Sequence, residues 1–451
     1  MDTLIIDNAV IVNEGLSFKG GIFVKEGIIC DIFDYDKMED HQRESALITA
    51  GCPTLDLQWK YLAPGVIDSH VHFREPGAVE KGCIASESAA AVAGGVTSFL
   101  DMPNNNPPAV TAAALEAKMD IAARDSLANY GFYLGANDIN IDEVVAAAHT
   151  GACAVKVFMG ASTGGLMVHN ATALRRIFEL SPLPIATHCE ENSIIAANLA
   201  RYRAEFGEDI PVSAHPAIRS SAACLASTAK AVELALETGA RLHVLHVSTE
   251  REVELLAGVM RRTDLITAET CPQYLWFDDS DYERYGAQIK CNPAIKSAAD
   301  RSALCDAVRA GIIRTIATDH APHLPAQKQG GCLTAASGIP LVQYSLLMML
   351  EKVREGVITL PMLVEKMCHA PARLFGIAGR GFIRKGYCAD LVAFDTAAAS
   401  DNAPLSRCGW SPLTRFSSSI LYTFVNGNMV YGPDGIVSDA PRGQALTYNG
   451  R

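Results

Sequence analysis

The sequence predicts an α/β protein, a (β/α)8 barrel to which both chain ends add a small β-sandwich. From Pro64 onward, short apolar runs alternate with alanine-rich stretches of helical period, the pattern of βα units that build a parallel sheet. On either side of that region the chain shows β-branched alternation broken by glycine turns, with no helical period. The expected boundaries are 1–62 for the first part of the sandwich, 63–378 for the barrel and 379–451 for the second part.

The two ends read as strands joined by tight turns. The first end contains TLIIDNAVIV, GGIFVKEGIICDIF and TLDLQWKYLAP, and the last contains YCADLVAFD, SILYTFVNGNMVYG and DGIVSD. The segment VNGNMVYGPDGIV has the asparagine–glycine pattern typical of a hairpin. The likeness of the two ends is the reason to place them in one small domain, since no local signal demands that pairing.

Eight candidate strands follow in the middle: VIDSHVH, VTSFLDM, YGFYLG, CAVKVFM, LPIATHC, LHVLHV, LITAET and RTIATD. Helix candidates lie between them at 83–94, 111–128, 170–180, 217–238 and 299–310, and two further helices within 341–378 are expected to close the barrel. An open doubly wound sheet is the alternative. It is disfavoured because no glycine-rich phosphate loop follows the first strand.

Composition excludes several function classes. The 451 residues are 49% hydrophobic and 20% charged, an ordinary globular balance. A net charge of −12 argues against nucleic acid as a partner, but not against a small anion in a locally positive pocket. The 13 cysteines form no C-x-x-C pair and favour a reducing, cytoplasmic location. The start MDTLIIDNAVIV is unlike a signal peptide, and no apolar run is long enough for a membrane span, so no membrane partner is expected.

The segment PGVIDSHVHFREPG, residues 64–77, organises the predicted chemistry. Positions i and i+2 of a strand point to the same face, so His70 and His72 converge. Two neutral imidazoles are natural ligands for zinc or a similar ion. Arg74 would be repelled by such a dication, which predicts that something anionic lies between them.

In a barrel of this kind, functional groups lie at the carboxyl ends of the strands. Those ends carry His70, His72, Lys156, His188, His246 and Asp319. Strand six offers both His243 and His246, which face opposite sides; His246 is nearer the strand end and is the expected site residue. Four histidines and an aspartate suit two metals about 3.5–4 Å apart better than one tetrahedral zinc. Lys156 is harder to place, because two dications repel an ammonium; an outward-pointing lysine is the alternative.

Several of these motifs resemble the amidohydrolase superfamily: H-x-H, AVKVFMGAST, ATHCEE, HVLHVST and ATDHAPH. Within it, HFREPG (72–77), DMPNNNP (101–107), CNPAIK (291–296) and TDHAPH (318–323) are similar to the dihydroorotase family, in its longer microbial branch. The resemblance covers essentially the whole chain. It implies reversible, zinc-dependent hydrolysis of dihydroorotate to N-carbamoyl-aspartate, a step of pyrimidine (UMP) biosynthesis.

The resemblance also implies a TIM barrel with two Zn(2+) per chain, bridged by a carboxylated Lys156 and a hydroxide. His70 and His72 would bind one zinc together with Asp319, and His188 and His246 would bind the other. Asp319 would also act as the catalytic proton carrier. The substrate contacts implied are Arg74, Asn104, Asn292 and His323, and the expected assembly is a homodimer.

Two alternatives remain open at this point. Sister cyclic amidases (allantoinase, hydantoinase or dihydropyrimidinase) share the metal ligands, but their usual rings lack a carboxylate, so Arg74 favours dihydroorotase. An inactive scaffold of the same fold is disfavoured, because all six ligand positions are present. Two departures from the family pattern are Gln273, where several relatives carry histidine, and the polar loop 324–338, which is expected to lie over the pocket.

Overall fold

The computed structural model describes residues 3–38, 52–160 and 166–449. Its centre is a ring of eight parallel strands, each a short apolar run buried on both faces, as parallel strands covered by helices are. In chain order these barrel strands one to eight are Val66–Val71, Val96–Asp101, Asn129–Phe132 continued by Leu134–Gly135, Val155–Phe158, Ile185–His188, Leu242–Val244, Ile266–Thr270 and Thr315–Ile316. All eight predicted strands are present.

Parallel pairing joins strands one to three and strands three to eight in sequence order. The ring closes beyond strand eight, where Val71 bridges His320 and His72 N donates to His320 O at 2.7 Å. This closure brings the residues that follow strand one against those that follow strand eight. The predicted (β/α)8 barrel is thereby confirmed.

The helices around the barrel include the predicted ones, and four of the five with predicted bounds begin and end within three residues of those bounds. They are Ile84–Ala93, Ala112–Asp125, Ile141–Ala146, Ala171–Leu180, Asn192–Phe206, His215–Ile218, Ser221–Thr238, Glu250–Met260, Pro272–Trp276, Tyr282–Tyr285, Ala298–Arg309, Ser345–Arg354, Leu360–Val364 and Ala370–Phe375. Side-chain caps start several of them, as when Thr111 accepts from Ala114 N at 3.2 Å. The helix expected at 217–238 is two helices, broken at Arg219 and Ser220.

A nine-stranded sheet, here called the terminal sheet, unites the two ends of the chain. Its strands are Thr3–Asn13, Leu16–Lys25, Ile28–Asp34, Thr54–Asp56, Tyr61–Pro64, Leu391–Asp395, Ser419–Val425, Asn428–Gly432 and Gly435–Ile436. The two ends meet where Tyr61–Pro64 pairs with Leu391–Asp395. Their alternating apolar side chains form a separate core that includes Ile6, Ile11 and Phe424.

The exact domain bounds stay a prediction. After the terminal sheet, the last described residues run back to the barrel, where Tyr130 N donates to Gln444 O and Leu446 N donates to Tyr130 O. The part of the predicted sandwich that falls on residues 39–51 lies outside the described residues. In the described ranges, no helix combines the length and the apolar character that a bilayer span requires.

Candidate active site

A cavity of about 310 Å3 opens at the carboxyl ends of the barrel strands. All ten residues predicted for the site line it: His70, His72, Arg74, Asn104, Lys156, His188, His246, Asn292, Asp319 and His323. The remaining wall is formed by Phe158, Ala321 and the segment 336–338. The structure therefore brings together every side chain that the sequence pointed to, while the role of each stays a proposal.

Two histidines and an aspartate form one cluster at the base of this cavity. His70 Nε2 lies 3.2 Å from Asp319 Oδ1, and His72 Nε2 lies 3.0 Å from the same oxygen. One ligand atom from each residue lies within 4.8 Å of the other two. All three side chains are buried, so the cluster has the ligand types, the spacing and the shielding of a metal site.

Hydrogen bonds behind the two rings assign their tautomers. His70 Nδ1 lies 2.8 Å from Glu269 Oε1, and His72 Nδ1 lies 2.7 Å from Asn104 Oδ1. Because carboxylate and amide oxygens only accept, each Nδ1 carries a proton. In neutral rings the two Nε2 lone pairs then face the Asp319 carboxylate, which is repulsive unless a cation lies between them. The donor set thus fits a metal ion such as zinc.

Protonation states agree with this fit. Burial raises the pKa of the Asp319 carboxyl, but attraction to His70 and His72 outweighs burial, and the net shift is downward. Burial, partly opposed by Asp319, lowers the pKa of His72 to about 4. At ordinary pH the aspartate is therefore ionised and His72 is neutral, which are the forms that bind metals.

Sharp turns of the backbone aim three of the site residues into the cavity. Arg74, His246 and Asp319 have φ values of 68°, 41° and 50°, in the left-handed region that residues other than glycine seldom adopt. Each lies just beyond the end of a barrel strand, where the chain changes direction. Such strain persists only where the surrounding structure enforces it, and it is typical of functional sites.

A second cluster contains the histidines of strands five and six. His188 Nδ1 lies 2.8 Å from His246 Nε2, and His188 Nε2 lies 3.0 Å from Glu190 Oε2. Glu190 is fully buried and also accepts from Arg219. Burial raises the pKa of Glu190, but the charge of Arg219 and the hydrogen bond from His188 lower it by a larger amount, so the net shift is downward. This carboxylate accepts from His188 Nε2 and so leaves the lone pair of the ring on Nδ1.

Lys156 lies in the same cavity and is almost completely buried. Within the described part of the chain, its amino group has no hydrogen-bond or ion-pair partner, and Nζ lies 4.6 Å from the centre of the Phe158 ring. Burial lowers its pKa to about 8, against the attraction of Asp319 and Glu269. A buried amine without a partner is costly. A carbamate on this nitrogen, as the resemblance implies, would fit between metal cations; its formation stays a proposal.

Sequence reasoning missed the two glutamates that orient the histidines. Glu269 lies on strand seven and Glu190 two residues after His188, and both are fully buried. The sequence did carry an indication of these two residues. Each is a charged residue inside or directly after an apolar strand, and a charged side chain is rarely buried there unless it is paired. His243 lies beneath the cavity, with Nε2 3.6 Å from Glu269 Oε2, and only His246 reaches the lining.

Arg74 lies half-buried in the cavity without a counter-ion. Its Nε donates to Pro322 O at 3.2 Å, and its Nη2 lies 3.2 Å from His323 Nε2. No carboxylate among the described residues is within ion-pair distance of this guanidinium. A guanidinium in a cavity with no carboxylate beside it favours the binding of an anion from outside the protein.

The contact between Arg74 and His323 leaves one donor unsatisfied. His323 Nε2 also lies 3.0 Å from Ser337 O, which only accepts. Among the described residues the opposite ring nitrogen, Nδ1, is buried without a partner. A proton on Nε2 is donated to Ser337 O, whereas a proton on Nδ1 leaves Nε2 to accept from Arg74 Nη2. Burial and the charge of Arg74 lower the pKa of His323 to about 2, which keeps the ring neutral. In either tautomer, Arg74 Nη1 has no hydrogen-bond partner among the described residues, so its N–H groups remain for a ligand.

In both predicted substrate-binding asparagines, the side-chain oxygen already lies at hydrogen-bond distance from a histidine ring. Asn104 Oδ1 accepts from His72 Nδ1 at 2.7 Å, so this residue also orients a candidate metal ligand. Asn292 Oδ1 lies 3.0 Å from His215 Nε2. With its oxygen used in this way, Asn292 retains its NH2 group, a donor, for the cavity.

The last residues of the loop 324–338, residues 336–338, line the cavity, and the loop is held by two buried lysines. Lys328 Nζ donates to Lys290 O, Ala336 O and Gly338 O at 2.8–2.9 Å. Lys290 Nζ donates in turn to Cys332 O at 2.7 Å. Gln273, the departure from the family pattern, donates to Thr318 O at 3.2 Å and does not line the cavity.

Residues 61–430 match the sequence pattern of the Amidohydrolase family. The chain belongs to this family. It is 30% identical to a dihydroorotase from Methanosarcina acetivorans over 88% of this chain and 87% of that protein. It is 31% identical to an allantoinase from Deinococcus radiodurans over 89% of this chain and 91% of that protein. Its fold is similar to that of the L-hydantoinase (dihydropyrimidinase) from Arthrobacter aurescens, with a TM-score of 0.91 and 29% identity, covering 99% of this chain and all of that one.

Family membership confirms two expectations. The resemblance to dihydroorotases holds over most of the chain, and the protein is a cyclic amide hydrolase. Amidohydrolases are typically metal-dependent, which agrees with the cluster of His70, His72 and Asp319. The individual reaction is a finer question, because the chain is similar to proteins with three different names.

Proposed function

We propose that this amidohydrolase is a dihydroorotase, which opens the dihydroorotate ring to N-carbamoyl-aspartate and closes it in the reverse direction. The observation that carries the proposal is Arg74, a cation in the cavity without a counter-ion in the described part of the chain. Dihydroorotate carries a ring carboxylate that a guanidinium binds with two parallel hydrogen bonds. Pyrimidine biosynthesis is the proposed pathway, and the homodimer and the cytoplasmic location stay predictions.

The sister activities are weaker candidates on the same observation. Allantoin, hydantoin and dihydropyrimidine, the rings in the relatives' names, carry no carboxylate. For each of them the guanidinium of Arg74 would have no carboxylate to bind, so the ring would lack the charge-assisted hydrogen bonds that dihydroorotate can make. His323 is neutral and Asn292 offers a donor, so no side chain near Arg74 replaces the missing anion.

Asp319 is the proposed proton carrier. It is ionised and lies at the base of the cavity, 3.0 Å from His72 Nε2. In ring opening, the oxygen of water bonds to the amide carbon and the ring C–N bond breaks. Asp319 takes the proton from water and returns it to the leaving nitrogen. Bound metal ions would polarise the amide carbonyl and lower the pKa of water.

The proposed metal complement is two zinc ions per chain. His70, His72 and Asp319 would hold one, and His188 and His246 would hold the other. Lys156, as its carbamate, would be shared between the two, which would account for a lysine that has no hydrogen-bond or ion-pair partner among the described residues and lies beside the proposed metal ligands. Two observations support this assignment. The Nε2 lone pairs of His70 and His72 converge on the Asp319 carboxylate. Hydrogen bonds to Glu269 and Glu190 fix the orientation of the His70 and His188 rings.

One assay panel tests the proposal. Purified protein loaded with zinc is given dihydroorotate, allantoin, hydantoin and dihydrouracil at equal concentrations, and kcat/KM is measured for each. We expect dihydroorotate to exceed every uncharged ring by at least about tenfold, the value of one charge-assisted hydrogen bond. If an uncharged ring is preferred, the dihydroorotase proposal is wrong and the corresponding sister activity takes its place.

A further inference from the structure

His215 is a buried histidine next to the cavity but outside its lining. It begins the short helix His215–Ile218, far from the other site residues in the sequence. Its Nε2 lies 2.9 Å from Cys291 O and 3.0 Å from Asn292 Oδ1. Its Nδ1 lies 3.5 Å from Cys332 Sγ in the loop 324–338. The ring is thus in contact with two separate segments of the chain, residues 291–292 and the loop 324–338.

The backbone carbonyl of Cys291 decides the tautomer of this ring. A carbonyl only accepts, so His215 Nε2 carries the proton and Nδ1 is left to accept from the Cys332 thiol. Burial, together with the charges of Lys290 and Arg219, lowers the pKa of His215 to about 3. The ring is therefore neutral, with one donor that points toward the segment 291–292.

The tautomer of His215 in turn decides the orientation of the Asn292 amide. Oxygen and nitrogen of an amide are assigned from their partners. A flipped Asn292 would turn its NH2 toward Nε2–H and place two donors in contact. Its oxygen must therefore face His215, and its NH2 group is the end left for the cavity, which Asn292 lines together with Arg74.

We propose that His215 is a positioning residue that makes Asn292 a hydrogen-bond donor to the anionic end of the substrate. This inference rests on the proposed function, because the anion in question is the ring carboxylate. Asn292 and Arg74 then recognise the same charge, one with a neutral donor and one with a cation. The contact between His215 and Cys332 ties this donor to the loop 324–338, whose residues Ser337 and Gly338 also line the cavity.

A double-mutant cycle of His215→Gln and Asn292→Ala tests the inference, with His215→Phe as a second substitution at the same position. Because one hydrogen bond to a charged group is lost, His215→Phe should raise KM for dihydroorotate about tenfold with little change in kcat. Glutamine retains an N–H donor, so His215→Gln should recover part of this loss. In the Asn292→Ala background, neither change at His215 should have a further effect on KM.

Two further variants separate positioning from general damage. Asn292→Asp has the same shape but presents an acceptor to the cavity, so it should raise KM for dihydroorotate more than Asn292→Ala does. His369→Phe is the matched control: His369 is equally buried, with Nδ1 2.7 Å from Gly381 O and Nε2 2.9 Å from Glu14 N, and it lies outside the cavity lining. It should lower the melting temperature and leave KM unchanged.

The dissociation constant of orotate, measured with the same variants, tests this inference separately from the proposed function, because orotate carries the ring carboxylate and its binding does not require hydrolysis. If the wild type binds orotate but does not hydrolyse dihydroorotate, and the effects of His215 and Asn292 on Kd are non-additive, the inference stands and the proposed function fails. If dihydroorotate is hydrolysed but the two effects are additive, the inference is wrong and the function stands. If neither ring is bound, both are wrong. A loss of kcat or of metal in the His215 variants would also overturn the positioning role.

Discussion

Arg74 decides between substrates at the scale of a single residue. Arg74→Ala should lower kcat/KM for dihydroorotate at least about tenfold, since the contact of an arginine with a carboxylate contributes roughly 1.5–3 kcal/mol. Arg74→Lys should recover little, because a point charge does not reproduce two parallel hydrogen bonds.

The control for Arg74 is an uncharged ring measured with the same variants. Turnover of dihydrouracil should be unchanged or improved, because that ring never used the guanidinium. A fall in both activities would mean that the substitution damaged the metal site instead. Full dihydroorotate turnover by Arg74→Ala would contradict the proposed role.

Lys156 is the second residue with a sharp prediction. Lys156→Ala should abolish activity and release at least one metal ion per chain, because the shared ligand is lost. A short carboxylic acid added to this variant should restore part of both, since its carboxylate replaces the carbamate. Elemental analysis and initial rates, with and without the acid, measure the two effects.

Lys366→Ala is the matched control for Lys156. Lys366 is another buried lysine, but its Nζ donates to Ile313 O outside the cavity. This variant should lose stability and retain its metal and its activity. Unchanged metal content in Lys156→Ala would rule out the bridging role.

At the scale of an element, the loop 324–338 shapes the pocket through its backbone. Gly338 has a φ of 145°, and an added Cβ would lie 2.5 Å from Ala321 O and 3.0 Å from His323 Cδ2. Gly338→Ala must therefore displace the loop or His323, at a cost of about 1–3 kcal/mol. We expect KM for dihydroorotate to rise while the metal content stays constant.

Gly356→Ala is the comparison for this loop prediction. Gly356 also has a positive φ, 73°, but an added Cβ would meet no atom within 4 Å. Its substitution should cost about 1–2 kcal/mol of stability from backbone strain alone and leave KM unchanged. Equal effects of the two substitutions on KM would show that strain, rather than contact with the pocket, explains the Gly338 result.

At the scale of the whole molecule, metal binding and folding should be coupled. The lone pairs of His70 and His72 face the carboxylate of Asp319, an arrangement that folding creates, so we expect the folded state to bind metal more tightly than the unfolded chain. At a thousandfold excess over Kd this linkage stabilises the fold by about 4 kcal/mol. Chelation should therefore lower the melting temperature, measured by calorimetry.

Metal stoichiometry and a ligand variant check that coupling. About two equivalents per chain are expected if both clusters are occupied. Asp319→Ala should bind less metal, and its melting temperature should respond less to chelator. A firm stoichiometry of one with full activity would contradict the two-metal proposal.

The sequence alone determined the barrel and which side chains meet at the carboxyl ends of its strands. Apolar runs of strand length alternate with helical segments, and this periodicity is local, so it can be read without knowing which residues meet. In such a barrel the carboxyl ends of all strands face one side. Knowing that His70, His188 and Asp319 end strands was therefore enough to predict that they lie together.

Only the tertiary structure decided how those side chains are oriented. The partner of His70 is Glu269, 199 positions away, and the partner of Asn292 is His215, 77 positions away. No local pattern specifies such pairs, because they depend on which strand ends and loops pack side by side. For the same reason the sequence indicated Asn104 as a substrate contact without its bond to His72. Residue types follow from local patterns, whereas tautomers, amide orientations and unpaired charges depend on neighbours that only folding supplies.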